Sequence, residues 1–188
     1  MKSSGQYHFF STTRSALQAM FEAVSAAEKS IYWETYIFEQ DTPAWPFIEK
    51  LKAKAKQGVE VKLIIDALGS FSFEKKNMAE MRRTGIDVIY FNPWELSFFW
   101  RGVWRFFERN HRKVLVVDEK VGFIGGVNVE KKSFGWFDLH VRVEGLLVGH
   151  LLKSFAHSYL VGGGRLEKIK ALLYLPVIKE KYWRILWH

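Results

Sequence analysis

Apolar positions along the chain alternate between helical spacing and short continuous runs, which predicts interleaved helices and strands. Leu17, Met20, Phe21 and Val24 share one helical face behind a threonine cap. Further apolar segments predict strands at 31–38, 59–66, 87–91, 113–118, 121–124 and 139–144, helices at 46–57 and 75–84, a tight turn at 119–120 and a closing helix over 147–159. This order predicts an α/β fold, with a mixed and largely parallel β-sheet flanked by helices on both faces.

Three consecutive glycines, Gly162 to Gly164, interrupt this pattern and mark the best candidate for a boundary. We therefore expect one domain over residues 1–161. The remaining segment, 162–188, becomes basic and aromatic beyond the glycines, and its pattern leaves two roles open, a linker or a tail at a membrane interface.

The composition limits the types of site and of partner that the chain can have. The chain of 188 residues has no cysteine, which excludes disulfides, zinc-thiolate sites and a cysteine nucleophile. Its formal net charge of +8 favours anionic partners, namely nucleic acid, an acidic membrane surface or phosphate-bearing substrates, without choosing among them. Residues 1–14 show no secretory leader and no apolar run approaches ~18 residues, so we expect any membrane contact to come from one side.

The most informative segment runs from His111 to Asn128. It places an imidazole, an ammonium group and a carboxylate at His111, Lys113 and Asp118, around the apolar stretch 114–117. Because side chains alternate along a strand, His111 and Lys113 are predicted to face the same way. A neutral imidazole can attack phosphorus while an ammonium group holds the phosphate oxygens. This chemistry suits phosphodiester transfer through a phosphohistidine.

The spacing of this segment resembles the HxKxxxxD-xxxxxx-GGxN motif of the phospholipase D superfamily, with matches at His111, Lys113, Asp118, Gly125, Gly126 and Asn128. The residues around the motif, together with 31–38, 58–70 and 136–145, are similar to the N-terminal half of bacterial cardiolipin synthases. The resemblance covers about residues 21–160 and implies a phospholipase D-like fold for the 1–161 domain. That family normally carries two such motifs in one chain, whereas this sequence has one.

The resemblance also implies roles for individual residues. His111 is the nucleophile or the leaving-group acid, and Lys113 and Asn128 hold the charged phosphoryl oxygens. Asp138 is implied as the acid that orients the imidazole, whereas Asp118 is interpreted as a structural residue at the strand end. No metal or other cofactor is expected, because the lysine and amide groups can supply the electrostatic stabilisation.

Four further positions are predicted to support the site. Gly125 and Gly126 allow the backbone to come close to a ligand. Glu34 is a charge within an apolar strand, and it either lines the site or is exposed on that strand. Asp66 is the last residue of a predicted strand, at the C-terminal end where open α/β sheets place ligands. The other histidines show no pattern of partners, and we do not expect them to be catalytic.

Aromatic and arginine side chains interleave over residues 92–110, just before the motif. We define a substrate lip by Trp94, Phe98, Trp100, Arg101, Trp104 and Arg105. So much apolar area beside a phosphate site favours a substrate with both acyl chains and phosphate. Two alternatives remain, stacking on single-stranded bases and a loop folded back into its own core.

These observations lead to the hypothesis of a cardiolipin synthase-like phosphatidyltransferase or phospholipase D, peripheral to the cytoplasmic side of a bacterial membrane and acting on phospholipids. The alternatives are a homodimeric nuclease of the same superfamily and a non-catalytic fragment that binds phosphate-bearing or anionic membrane surfaces. The mechanism requires two histidines and the chain supplies one motif. We therefore expect either a homodimer or a missing second half.

Overall fold

The computed structural model describes residues 5–39, 44–92 and 110–175. The strands are β1 (Tyr7–Thr12), β2 (Ser30–Thr35), β3 (Glu60–Asp66), β4 (Asp87–Phe91), β5 (Val114–Val117), β6 (Val121–Gly125) and β7 (Phe137–Glu144). The helices are α1 (Thr13–Ala26), α2 (Ala44–Lys56), α3 (Lys75–Arg83), α4 (Leu146–Val161) and the short α5 (Lys170–Leu173), which follows a 3₁₀ turn at Leu166–Lys168. Within these ranges, no helix is both long and apolar enough to cross a bilayer.

The seven strands of the described ranges form one sheet in the order β1-β7-β6-β5-β2-β3-β4. β2, β3 and β4 run parallel, because α2 and α3 return the chain across the sheet between them. The other pairings are antiparallel. Glu34 near the end of β2 pairs with Val114 at the start of β5. The carboxyl ends of the parallel strands therefore meet the segment that carries His111 and Lys113.

Two apolar cores cover the two faces of the sheet. On one face Trp33 packs between Phe38 and Phe47, with ring centroids 5.4 and 4.9 Å away. On the other face Tyr32 contacts Phe155 of α4, with ring centroids 5.5 Å apart. Trp33 and Tyr32 are neighbours in β2, so they point to opposite faces as strand alternation requires. Burial on both faces explains why β5 is a continuous apolar run and why β2 and β3 are mostly apolar.

Most predicted elements are confirmed, with ends that shift by a few residues at most. The α/β class with helices on both faces is also confirmed, but the sheet is parallel only over β2, β3 and β4. Strands β5, β6 and β7 follow one another without a crossover helix, so their pairings are antiparallel. The sequence does not predict β1, because this edge strand buries only Phe10 and shows no continuous apolar run.

The tight turn between β5 and β6 is confirmed with a shift of one residue. Asp118 and Glu119 occupy its centre with φ angles of 52° and 57°. Lys120 N donates to Val117 O at 3.0 Å across the turn. Two central residues with positive φ define a type I′ turn, whose twist suits a two-residue hairpin. Aspartate tolerates this backbone conformation better than most residues, so Asp118 suits the turn itself.

Gly162 to Gly164 form a turn that brings the chain back onto α4. Beyond this turn, Ile169 and Leu172 are buried in the same core as α4. The described part of the 162–188 segment therefore packs on the first domain. The predicted linker or membrane role of the remainder falls on residues 176–188, which lie outside the described ranges, and it stays a prediction.

Candidate active site

Asn110, the neighbour of His111, is buried and held by two carboxylates. The Asp66 carboxylate at the end of β3 accepts the Asn110 backbone N–H at 3.0 Å. Glu34 Oε1 in β2 accepts a hydrogen bond from the Asn110 side-chain amide at 2.6 Å. Both carboxylates are fully buried, and Asp66 Oδ1 also accepts the backbone N–H of Leu68 at 2.9 Å. Two strands therefore position the residue next to the candidate nucleophile.

Glu34 combines complete burial with an arginine at the limit of ion-pair distance. Its Oε2 lies 3.8 Å from Arg112 Nε, and the same guanidinium donates to Ser158 Oγ at 3.0 Å. Burial raises the pKa of Glu34, and Arg112 and Asn110 offset only part of that rise. The alternative prediction, in which Glu34 is exposed on its strand, is therefore wrong. The structure places Glu34 behind the site, as a partner of Asn110.

Asn110→Asp should destabilise the protein strongly while hardly changing the shape of the side chain. The substitution removes the amide donor to Glu34 and adds a third carboxylate to a buried group. We expect the free energy of unfolding in urea to fall by about 2–4 kcal/mol. Gln57→Glu makes the same amide-to-acid change at an exposed position and should change it by less than about 0.5 kcal/mol. Equal losses in the two variants would contradict the positioning contacts of Asn110.

His111 and Lys113 both lie against the ring of Tyr36, a residue that no sequence motif marks. The ring centroids of His111 and Tyr36 are 4.7 Å apart, and Lys113 Nζ lies 5.3 Å from the Tyr36 centroid. Lys113 Nζ also donates to the His111 backbone carbonyl at 2.9 Å. His111 is exposed, whereas Lys113 is only 6% exposed. The site thus offers an imidazole that solvent and substrate can reach, beside an enclosed ammonium group.

Lys113 is the electrostatic centre of the site. Burial lowers the pKa of Lys113, while the nearby carboxylates of Asp138 and Glu130 act in the opposite direction. Asn128 joins the group through its Nδ2, which lies 3.4 Å from Glu130 Oε1, and its Oδ1 accepts the Ile37 N–H at 3.4 Å. The structure therefore brings an ammonium group, an amide and two carboxylates together. The sequence analysis finds three of them and misses Glu130.

Asp138 belongs to the charged group around Lys113. Among the described contacts it makes no hydrogen bond to His111. Its Oδ1 accepts the backbone N–H of the next residue, Leu139, at 2.7 Å. In this conformation its negative charge acts on Lys113. The role of orienting the imidazole, which the family resemblance implies, stays a prediction.

Gly125 and Gly126 permit a close approach, but in this structure the approaching groups belong to β7. A Cβ at Gly125 would lie 2.3 Å from Leu139 O, and one at Gly126 would lie 2.2 Å from Asp138 Oδ1. Gly126 N also donates to Leu139 O at 2.9 Å. The two glycines therefore allow β6 to pack against the strand that carries Asp138, at the place where the sequence predicts an approach to a ligand.

Asp118 lies at the end of β5 remote from His111 and accepts three backbone N–H groups. The donors are Glu28 at 3.0 Å, Lys29 at 2.7 Å and Ser30 at 2.9 Å. Burial raises the pKa of Asp118, but the backbone hydrogen bonds outweigh that effect and hold the pKa below its ordinary value. These contacts join the β5–β6 turn to the connection between α1 and β2.

Asp118→Asn should lower the free energy of unfolding by about 1–2 kcal/mol at pH 7, a modest loss because the carboxylate is partly exposed. Because the folded pKa is the lower one, the stabilisation is present above the ordinary carboxyl pKa of about 4 and is lost as the pH falls through the folded value. The difference in Tm between variant and wild type should therefore shrink between pH 7 and pH 2. A difference that does not change with pH would contradict this assignment.

His140 is a second imidazole near Lys113, but it is enclosed. It is 1% exposed, and neither ring nitrogen has a hydrogen-bond partner within the described ranges. Burial, followed by the charge of Lys113, lowers the pKa of His140 to about 4, so the ring is neutral at pH 7. An enclosed neutral imidazole is poorly suited to protonating a leaving group.

The remaining predictions for the site concern the substrate lip and a metal ion. The lip residues Trp94, Phe98, Trp100, Arg101, Trp104 and Arg105 lie outside the described ranges, so their role stays a prediction. Within those ranges, no three histidine, aspartate or glutamate side chains are grouped as ligands of a metal ion would be.

An α/β sheet whose strand ends present an accessible imidazole, an enclosed ammonium group and an amide has the parts of a phosphoryl-transfer domain. The family model described as cardiolipin synthase, phospholipase D-like domain, matches residues 20–150. The chain belongs to this family.

Curated relatives agree with the family match. The probable cardiolipin synthase YwiE of Bacillus subtilis (strain 168) is 35% identical over 143 residues, which cover 72% of this chain and 28% of that protein. A cardiolipin synthase of Clostridium perfringens (strain SM101 / Type A) is 36% identical over 148 residues, which cover 75% of this chain and 30% of that protein. The chain spans less than a third of the length of these relatives.

Solved structures share the fold at lower sequence identity. The phospholipase D family member Nuc from Salmonella typhimurium aligns with a TM-score of 0.60 and 22% identity, over 84% of this chain and 94% of that chain. A phosphatidylserine synthase from Haemophilus influenzae Rd KW20 aligns with a TM-score of 0.63 and 17% identity, over 83% of this chain and 37% of that chain. At such identities the likeness concerns the fold alone, and it confirms the predicted phospholipase D-like fold.

Proposed function

We propose that this chain forms one half of the active site of a phospholipid phosphatidyltransferase of the cardiolipin synthase type, with His111 as the residue that becomes phosphorylated. The observation that carries the proposal is the placement of an accessible His111 beside the enclosed Lys113 and the Asn128 amide group. The names of the relatives support a phosphatidyl group as the cargo and a glycerol-bearing phospholipid as the acceptor.

The proposed reaction has two displacements at one phosphorus atom. In the first, the neutral imidazole of His111 bonds to phosphorus, the bond to the departing alcohol breaks, and a second acid gives that oxygen a proton. In the second, the acceptor hydroxyl loses its proton to the same group and attacks phosphorus, and the free imidazole is restored. Lys113 and Asn128 would offset the negative charge on the phosphoryl oxygens in both steps.

The proposed mechanism takes the second acid from outside the described residues. His140 is enclosed and neutral at pH 7, so it does not suit the role. The chain spans only 28–30% of the relatives named above. We therefore propose that a further segment of the same protein brings the second imidazole, and that a second copy of this chain does so if the chain acts alone.

An exposed apolar strip on β1 and β7 supports contact with a further protein unit. Tyr7, Phe9, Phe137 and Leu139 are 57%, 64%, 88% and 59% exposed. Leu139 follows Asp138 in β7, so the strip lies on the sheet face away from the Asp138 side chain. Contiguous apolar surface of this kind is typical of interfaces between protein units.

The net charge of +8 further supports a peripheral place on the cytoplasmic face of an anionic bacterial membrane.

The test is phosphatidyl transfer by the intact protein on vesicles that contain labelled phosphatidylglycerol. We expect a lipid product with two phosphatidyl groups, and a phosphorylated intermediate that maps to His111 after rapid alkaline quenching. DNA at moderate salt is the competing substrate. Cleavage of DNA without any lipid product would replace the proposal with a nuclease, and vesicle binding without turnover would leave only a binding function.

If the 188-residue chain is active by itself, its activity should depend on a dimer. One imidazole cannot readily act as nucleophile and leaving-group acid on opposite sides of the same phosphorus. Specific activity should then fall on dilution, and an excess of His111→Ala protein should inhibit wild type, because a mixed dimer keeps one functional imidazole. Constant activity per chain in both experiments, from a protein that stays monomeric by sedimentation, would contradict the need for two histidines.

A further inference from the structure

A cavity of about 600 Å³ lies beside β4, the edge strand of the sheet, where the turn after α4 approaches it. Its walls include Arg82 of α3, Asp87 of β4, Tyr159 of α4 and the glycine turn 162–164. Two strands, β2 and β3, separate β4 from β5. The cavity is therefore distinct from the site around His111, and an inference about it does not depend on the proposed function.

The glycine turn forms a wall that other residues could not form. A Cβ at Gly162 would lie 2.8 Å from Ile89 Cγ2, and one at Gly164 would lie 2.1 Å from the Tyr159 ring. Gly163 has a φ of 91°. The three backbone N–H groups already donate to carbonyls of α4 at 2.9–3.0 Å. The turn is thus a close-packed wall, and a ligand in the cavity would have to be held by side chains.

Three cationic side chains, Arg82, Arg165 and Lys168, line this cavity, and Asp87 is the one carboxylate among its lining residues in the described part of the chain. Asp87 Oδ2 already accepts hydrogen bonds from Tyr159 Oη at 2.7 Å and from Lys168 Nζ at 2.9 Å. Arg82 uses one nitrogen, which donates to the Val88 carbonyl at 2.8 Å. Within the described ranges the Arg165 guanidinium makes neither a hydrogen bond nor an ion pair. The cavity therefore holds an excess of positive charge with free donors.

We propose that this cavity binds the phosphate group of an anionic ligand, with Arg165 and Arg82 as the main donors and Lys168 at the rim. The planar guanidinium group of arginine matches two oxygens of a phosphate through parallel N–H···O bonds. The volume falls within the range of small-molecule sites. A free phosphate compound and a phospholipid headgroup both present this chemistry, and the experiments below distinguish the two sources.

The first experiment follows the backbone amides of Gly162 to Gly164 by NMR while inorganic phosphate is added to the labelled chain. We expect saturable shifts, and Arg165→Gln should raise the Kd at least tenfold. Arg14→Gln is the matched control, because Arg14 is exposed on α1, next to the opposite edge strand β1, and its loss removes the same charge. The Kd of the control should change less than twofold.

The second experiment compares vesicles that contain phosphatidic acid with vesicles of phosphatidylcholine alone. If the ligand is a headgroup, Arg165→Gln should weaken binding to the acidic vesicles more than Arg14→Gln does, and inorganic phosphate should compete. If the ligand is a free phosphate compound, the NMR result holds while the two variants bind vesicles alike. Arg165 makes no contact that folding requires, so the variant should keep the wild-type Tm. Absence of saturable shifts, or equal effects of both substitutions on the phosphate Kd, would overturn the proposal.

Discussion

His111→Ala in the intact protein is expected to reduce phosphatidyl transfer to less than about a thousandth of the wild-type rate, because the substitution removes the group that attacks phosphorus in the proposed mechanism. The free energy of unfolding should change by less than about 0.5 kcal/mol, since the side chain is exposed and no buried group loses a hydrogen bond. Steady-state transfer rates and urea unfolding curves on the same preparations measure the two effects separately.

His8→Ala is the matched control for this prediction. His8 is an exposed imidazole on β1, where its ring contacts Phe10 with centroids 4.7 Å apart, and the mechanism gives it no role. This variant should keep the wild-type rate within a factor of two. A folded His111→Ala protein that retains a tenth of the wild-type turnover would show that another residue carries the covalent step.

Asp138→Asn is expected to lower kcat by about 10⁴ with little change in KM, as the loss of an orienting carboxylate does in a catalytic triad. The structure suggests a second route, because Asp138 acts electrostatically on Lys113. Burial already lowers the pKa of Lys113, and loss of a nearby carboxylate lowers it further. If Asp138 acts through Lys113, the defect should deepen as the pH rises. If it acts through the imidazole, the defect should persist at pH values where Lys113 is fully charged.

Substitutions of two other carboxylates, Glu130 and Asp118, serve as comparisons for Asp138→Asn. Glu130→Gln removes the second acid beside Lys113 and should reduce kcat much less, because Glu130 contacts Asn128 and the family resemblance gives it no role in orienting the imidazole. Asp118→Asn should affect stability rather than turnover, since its partners are backbone N–H groups of residues 28–30. A silent Asp138→Asn together with a severe loss of turnover in Asp118→Asn would reverse the two assignments.

Local features of the fold could be predicted because they depend on residues close in sequence. Helix α1 follows from its apolar face and its Thr12 cap, whose Oγ1 accepts the Ser15 N–H at 3.3 Å. The range of β4 was predictable because a glycine and the end of an apolar run bound it. β1 was not predictable, because an edge strand with one buried residue lacks a periodic signal. The antiparallel pairing of β5 with β6 was predictable from the tight turn between them. The antiparallel pairings of β5 with β2 and of β7 with β6 were not, since they depend on which strands become neighbours.

The candidate site also has features that follow from nearby residues and features that depend on distant parts of the chain. The candidate reacting groups could be identified from the sequence alone, because His111, Lys113 and Asn128 lie within one short segment whose spacing carries the family signature. The surroundings of these groups could be seen only in the folded chain. The Asn110 side-chain amide donates a hydrogen bond to Glu34, which lies 76 positions away in the chain. The Asn110 backbone N–H donates one to Asp66, which lies 44 positions away. Such contacts form when strand pairing closes long loops, and no local pattern of residues records that pairing.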